Sequence, residues 1–116
     1  MLAALIAFAL LQWNATFAIE GEFFTGGSNW WAQTGAHSDH CLIGVNEPWF
    51  ITATPELRQS VIIHEVGHCL GLGHFGSCNY NEAIMGCATL GEITGYDRAM
   101  LGAVRGNRVV VPMVGN

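Results

Sequence analysis

The spacing of three histidines between positions 64 and 74 constrains this chain more than any other feature. On an α-helix, His64 and His68 lie about 40° apart around the axis and about 6 Å apart along it. Both imidazoles can therefore reach one metal ion. Gly71 can adopt a left-handed conformation, which would end the helix and return the chain so that His74 becomes a third ligand.

Glu65 follows the first of these histidines directly. Its side chain is rotated about 100° from that of His64, so its carboxylate can approach a water molecule beside the metal without binding the metal. This placement suits a general base. Three protein ligands leave the fourth position open, which distinguishes a catalytic zinc site from a structural one. A pure packing role is disfavoured, because buried histidine and glutamate side chains require partners.

The eleven residues His64–His74 match H-E-x-x-H-x-x-G-x-x-H, the signature of the metzincin zinc endopeptidases. This resemblance implies an α+β fold, a small zincin domain with a twisted sheet packed on the active-site helix, a methionine turn and a C-terminal helix. Ala83–Gly86 is similar to the methionine turn, with Met85 eleven residues after His74. The run Leu70–His74 resembles matrixins more than other branches of the family.

The same resemblance implies a function, peptide-bond hydrolysis by a zinc-activated water with Glu65 as general base. Zn²⁺ would be held by His64, His68 and His74, and Gly71 and Met85 would support the site. Family members bind an extended peptide along a strand edge above the zinc, and Cys41–Val45 is the strand expected to provide that edge. An extended peptide or protein is therefore the expected substrate.

Two positions depart from the family pattern, and one short run matches it only in part. Matrixins usually have serine after the third histidine, where this chain has Phe75, and other branches have tyrosine where it has Cys87. The run His37–Asp39 resembles the opening of the second, structural zinc site of matrixins, but no further histidines follow at suitable positions. A polar loop is the alternative there, and the branch of the family stays open.

Length and charge narrow the class of protein. A chain of 116 residues is one domain, short for a metzincin catalytic domain, so a fragment is an alternative. The net charge is −5 and lysine is absent, which excludes a nucleic-acid partner from our expectations. We expect a monomer.

Residues 1–18 carry no charged side chain and allow two interpretations. They are either a secretory signal peptide or the truncated first helix of the domain, which leaves 19–116 as the catalytic domain. A membrane anchor is disfavoured, because Gln12 and Asn14 interrupt an apolar run of barely sufficient length.

The four cysteines allow three pairings if all are oxidised, and no short C-x-x-C pair indicates a second zinc site. Disulfides agree with a secreted, extracellular protein. A Cys78–Cys87 bond is preferred, because it would tie the loop after the third histidine to the expected methionine turn. Cys41 and Cys69 are then left to pair with each other.

Local patterns predict further elements: a strand within Thr16–Thr25, a helix that follows the N-cap Thr54, a helix from Thr94 to about Arg105, and an edge strand or frayed tail over 108–116. Asp97 is interpreted as the partner of Thr94 in a capping box, which explains it better than a role as a catalytic acid.

Two other functions compete with the endopeptidase. One is a zinc-holding peptide-binding module, or a fragment with an incomplete, inactive cleft. The other is a zinc hydrolase that acts on non-protein amides, which the same ligands would permit. The endopeptidase is preferred, because an open strand edge binds extended peptides without a pocket for a chain terminus.

Overall fold

A computed structural model describes residues 2–25, 30–104 and 111–115 and shows a small α+β fold. Its helices are α1 (Leu2–Trp13), α2 (Glu47–Thr52), α3 (Pro55–Cys69) and α4 (Gly95–Val104), with a short 3₁₀ turn at Cys78–Tyr80. Its strands are β1 (Ile19–Phe24), β2 (Ala32–Ala36), β3 (Cys41–Asn46) and β4 (Val111–Gly115). The strand expected within Thr16–Thr25 and the helix expected after Thr94 are confirmed.

The four strands form one mixed sheet in the order β1-β3-β2-β4. Strand β3 runs parallel to β1 and antiparallel to β2, and β4 pairs antiparallel with the other edge of β2. The expectation that Cys41–Val45 forms the open edge of the sheet is therefore wrong. Cys41, Ile43 and Val45 are fully or almost fully buried. A continuous apolar run is typical of a strand covered by neighbours, and here β3 lies inside the sheet.

No pattern in the sequence predicts strand β2. Its residues Ala-Gln-Thr-Gly-Ala are small or polar and do not alternate between apolar and polar side chains, yet all but Gln33 are buried. They are buried because β3 and β4 pair with the strand and α3 lies against it. A period-two pattern is a signal only when one face of a strand meets water.

Helix α1 packs against α3. Its buried residues Leu2, Ile6, Ala9 and Trp13 recur every three or four positions and so share one face. The indole Nε1 of Trp13 donates a hydrogen bond of 2.8 Å to the carbonyl of Ile63, which satisfies its polar atom in the core. Within the described ranges, every helix is too short or too polar to cross a bilayer.

Helix α3 begins as its sequence predicts. The Thr54 hydroxyl accepts a hydrogen bond of 3.1 Å from the amide of Leu57, and Pro55 occupies the first turn. Every residue from Ser60 to Cys69 is buried. The second half of this helix therefore lies in the core, and packing on all sides fixes the positions of its side chains.

Both disulfides of the preferred pairing are present. Cys41–Cys69 joins the first residue of β3 to the last residue of α3. Cys78–Cys87 closes the loop between the 3₁₀ turn and the residue after Gly86. The first disulfide thereby links α3 to the sheet, and the second links two parts of the loop region that follows α3.

Of the two alternatives for residues 108–116, an edge strand or a frayed tail, the structure shows the edge strand. Val111–Gly115 form an edge strand, while 105–110 and Asn116 lie outside the described residues. Pro112 lacks an amide proton, and proline within a sheet is found on edge strands for that reason.

Candidate metal centre

Helix α3 carries the first two histidines and the glutamate of the signature. His64, Glu65 and His68 are 2%, 0% and 4% exposed. The four-residue spacing brings the two imidazole centroids within 4.8 Å of each other. The rigid helix therefore presents two nitrogen ligands side by side in the interior.

The end of α3 brings in the third histidine. Gly71 has φ +101°, as predicted for the residue that ends the helix. Its amide donates to the carbonyl of His68 at 3.0 Å, and the amide of Leu72 donates to the carbonyl of Gly67 at 3.0 Å. This pair of bonds is the Schellman motif, which satisfies the last carbonyls of the helix and reverses the chain toward His74.

The three imidazoles converge. His68 Nε2 and His74 Nε2 lie 3.2 Å apart, and one ligand atom from each of the three rings lies within 4.8 Å of the others. Two nitrogens bound to one tetrahedral zinc ion are separated by about 3.3 Å, given bond lengths near 2.05 Å. The ring positions therefore fit a metal ion with little rearrangement. His74 is exposed, so the cluster opens to solvent on its side.

The outer nitrogens of the two helical histidines are oriented by backbone. His64 Nδ1 lies 2.6 Å from the carbonyl of Ile84, and His68 Nδ1 lies 2.7 Å from the carbonyl of Leu72. A carbonyl only accepts, so each Nδ1 donates, and Nε2 then carries the ring's lone pair. Burial, reinforced by the neighbouring imidazole of His64, lowers the pKa of His68 to about 4. His68 is therefore neutral near pH 7, which is the form that binds metal.

The Glu65 carboxylate contacts strand β2 of the sheet. The Thr34 hydroxyl donates a hydrogen bond of 2.5 Å to Glu65 Oε1 and lies 3.4 Å from the carbonyl oxygen of the same residue. Thr34 is itself 1% exposed. Strand β2 thus holds the carboxylate at the inner end of the site.

A turn that contains Met85 packs against α3 at the position expected for the methionine turn. Ile84–Gly86 lie in a turn in which the amide of Gly86 donates to the carbonyl of Ala83 at 3.2 Å. Met85 is fully buried. A Cβ at Gly67 would collide with Met85 Sδ and would lie 2.9 Å from Trp13 Cζ2. The glycine between the two helical histidines is therefore what allows the turn to reach the helix.

Asp97 stabilises this turn through hydrogen bonds to its backbone. Its carboxylate accepts from the amides of Ile84 at 2.8 Å and Met85 at 3.2 Å. It also accepts from the Thr94 amide at 2.8 Å, while its own amide donates to the Thr94 hydroxyl at 3.3 Å, so the predicted capping box is confirmed. Asp97 joins the first turn of α4 to the methionine turn, and through the Ile84 carbonyl to His64.

A cavity of about 380 Å³ opens beside the cluster. Its lining comes from the metal centre, from the loop after it and from the methionine turn: His64, His74, Phe75, Gly76, Met85, Gly86 and Ala88. A Cβ at Gly86 would meet the backbone carbonyl of Phe75, so glycine is required where the turn approaches the loop. The cavity can receive a side chain that enters next to the three histidines.

The run His37–Asp39 does not join this centre. Within the described residues, the only group of three or more metal-type ligands in mutual reach is the histidine cluster on α3 and after it. His37 instead stacks on His40 with ring centroids 4.5 Å apart, and His40 Nδ1 lies 2.7 Å from Asp39 Oδ1. That hydrogen bond lowers the pKa of Asp39. The polar-loop alternative describes this arrangement.

Three residues at the site were missed or only partly understood from sequence. Thr34 lies 31 positions from Glu65, and no local pattern connects them. Gly67 stands at an unassigned position of the signature, and a glycine inside a helix was the available signal. The local pattern explains Asp97 by its cap alone, although both oxygens of a carboxylate that is 0% exposed require donors.

Comparisons of this chain with protein-family models, with curated proteins and with solved structures find no match. The described residues establish an α+β fold, two disulfides and a three-histidine group that could bind a metal ion. The identity of the metal and the reaction are inferred from the chemistry of the site.

Proposed function

We propose that this protein is a zinc-dependent endopeptidase of the metzincin type. The observation that carries the proposal is the convergence of His64, His68 and His74, with the carboxylate of Glu65 next to them on α3. Two buried histidines with backbone-oriented rings and a third, exposed histidine would supply the three ligands of a catalytic zinc site, and the adjacent carboxylate would supply its general base.

Each protein group has a defined task in hydrolysis. A zinc ion held by the three imidazoles would polarise the scissile carbonyl and make water more acidic. The Glu65 carboxylate accepts a proton from the attacking water and passes it to the leaving amine. The Thr34 hydroxyl, 2.5 Å from Glu65 Oε1, keeps that carboxylate in position while it exchanges the proton. The carbonyls of Ile84 and Leu72 keep the ligand rings oriented.

The proposed substrate is an extended segment of peptide or protein. Main-chain pairing with a strand edge holds such a segment without reading its termini, and this favours cleavage within a chain. The cavity beside His64 and Met85 would take the side chain beyond the scissile bond. An extracellular location agrees with the two disulfides.

A peptide-binding module that holds zinc without catalysis is the second candidate. It is favoured by one observation, the presence of β4 along the edge of β2 next to Thr34. A strand edge that is already filled can hold a metal centre beside it and still deny substrate the correct alignment.

The test of the proposed function compares two glutamates of α3. Purified protein should contain about one zinc per chain by metal analysis. Glu65→Ala should retain the zinc and lose about 10²–10⁴-fold in hydrolysis of an unfolded protein, because the general base is removed. Glu56→Ala, at an exposed position in the first turn of the same helix, is the matched control and should keep full activity.

The outcomes separate the candidates. Zinc-loaded wild-type protein that binds peptides but cleaves no member of a peptide library would establish the binding module. A folded chain that binds no zinc would reject both candidates. Equal activity of Glu65→Ala and wild type would remove Glu65 from the mechanism.

A further inference from the structure

Strand β4 fills the outer edge of β2. The register pairs Gln33 with Gly115 and Thr34 with Val114 in antiparallel orientation. Without β4, the same edge of β2 would present a row of backbone donors and acceptors, which is the surface that extended peptides bind. The chain therefore carries its own extended segment where a peptide would pair.

The filled edge lies next to the proposed general base. Thr34 contacts the Glu65 carboxylate through its side chain and pairs with Val114 through its backbone. Neighbouring strands are about 4.8 Å apart, so the backbone of β4 runs one strand spacing from the residue that holds Glu65. Of the sheet edges described, this one adjoins the metal centre most directly, because the hydrogen bond to Glu65 comes from β2.

The pairing of β4 has the features of a segment that can be displaced. The strand is five residues long and includes Pro112, which contributes no amide donor. Its register with β2 shifts between Thr34 and Ala36, which interrupts the ladder. The strand is short and its ladder is irregular, so a longer peptide with a regular ladder could replace it.

We propose that β4 is an intramolecular occupant of the peptide-docking edge of β2, and that substrate must displace it before hydrolysis. This inference rests on the proposed function and adds its regulation. The linked segment competes with free peptide, so the apparent dissociation constant of a peptide rises by the inverse of the fraction of molecules whose edge is open. An edge that is filled nine-tenths of the time weakens peptide binding about tenfold.

Two neighbouring substitutions in β4 provide the test and its control. Val114 and Gly115 lie in regular register with β2, so their amides point in opposite directions, one into the ladder and one away from it. Of Val114→Pro and Gly115→Pro, only one therefore removes a donor to β2. The probe is a fluorescein-labelled nonapeptide with the sequence of residues 108–116. Its binding is followed by fluorescence anisotropy in a zinc-loaded Glu65→Ala background, so that it is not cleaved.

We expect the variant that loses the ladder donor to bind the peptide about tenfold more tightly than the parent, and the other variant to bind it within about twofold of the parent. Equal binding by the parent and both variants would show that β4 does not obstruct the edge. Absence of binding by all three would show that the edge is not a docking site. Either result overturns the proposal.

Hydrogen exchange on the zinc-loaded Glu65→Ala chain, with β4 unchanged, decides the matter if the proline variants do not fold. Saturating unlabelled peptide should speed exchange of the chain's own amides at 113–115, because the peptide takes their place on β2. Unchanged protection at a concentration that saturates binding would place the peptide elsewhere and reject the proposal. Neither readout needs hydrolysis, so an inactive zinc-loaded wild type would refute the proposed function and leave this test standing.

Discussion

The Thr34 hydroxyl donates to the Glu65 carboxylate across 2.5 Å, at a place where both residues are at most 1% exposed. A buried carboxylate is costly unless it is hydrogen-bonded, and a neutral hydroxyl satisfies it without adding charge beside the metal ligands. A single side chain on the sheet thus controls where the proposed base points.

Thr34→Val tests this control. Valine keeps the shape and removes the donor, so we expect hydrolysis to fall about tenfold and the free energy of unfolding to fall by about 1–3 kcal/mol, with zinc retained. Thr34→Ser keeps the hydroxyl and should restore most of the activity. Steady-state kinetics, metal analysis and urea unfolding are the measurements. Full activity in Thr34→Val would show that Glu65 needs no positioning from β2.

Gly67→Ala tests the contact between α3 and the methionine turn. The new Cβ would meet Met85 Sδ and Trp13, so we expect a loss of about 1–3 kcal/mol in the free energy of unfolding from overpacking. Gly102→Ala is the matched control within a helix, because no atom lies within 4 Å of its added Cβ. The control should be neutral or stabilising by up to about 1 kcal/mol. Similar losses in both variants would contradict the packing argument.

At the scale of elements, α4 supports the candidate metal centre without contributing a ligand. Asp97, in its first turn, accepts from the amides of Ile84 and Met85, and the carbonyl of Ile84 orients His64. The helix cap and the methionine turn are therefore one hydrogen-bonded unit. A displacement of the cap or of the turn would therefore change the orientation of the His64 ring.

Asp97→Asn tests this unit. The amide has one acceptor oxygen in place of two, so backbone donors of the turn lose a charged acceptor. We expect a loss of about 1.5–3 kcal/mol in the free energy of unfolding and weaker zinc binding. Asp39→Asn changes the same chemical group on an exposed loop and should leave zinc affinity unchanged. Thermal melts and competition with a zinc chelator supply the two measurements. Unaltered zinc affinity in Asp97→Asn would show that the hydrogen bonds from Asp97 to the turn do not affect zinc binding.

At the scale of the whole molecule, covalent links hold the second half of the chain around the site. Cys78 and Cys87 are 9 residues apart in sequence, and Cys41 and Cys69 are 28 apart. The first bond closes the loop that follows His74, and the second anchors α3 to β3. In a chain of 116 residues such links compensate for a modest core.

Replacement of Cys78 and Cys87 together by serine should lower the free energy of unfolding by about 2–3 kcal/mol, as expected for release of a short loop. Zinc should raise the variant's free energy of unfolding by about 2.7 kcal/mol at one hundred times its dissociation constant, because the ion is bound only by the folded chain, and this gain offsets most or all of the loss. Denaturant unfolding with and without zinc measures both effects. If the variant has the same free energy of unfolding with and without zinc, the metal is not bound in the folded state.

The candidate metal ligands, their helix and the turn after it follow from local patterns in the sequence. Spacing at His64, His68 and Gly71 depends on helix geometry and on the backbone freedom of glycine, and the Thr54 and Thr94 caps depend on residues at most three positions away. Such interactions join residues that are close in sequence, so they can be predicted without knowledge of the fold.

The sheet order, the position of Thr34 beside Glu65 and the occupant of the β2 edge depend on packing between distant segments. Strand β2 has no apolar alternation, so its place between β3 and β4 is set by its neighbours. The strand expected at the edge is internal because hydrophobicity reports burial and does not report which strands flank it. Pairing across some eighty residues, as between Thr34 and Val114, exists only once the chain has folded.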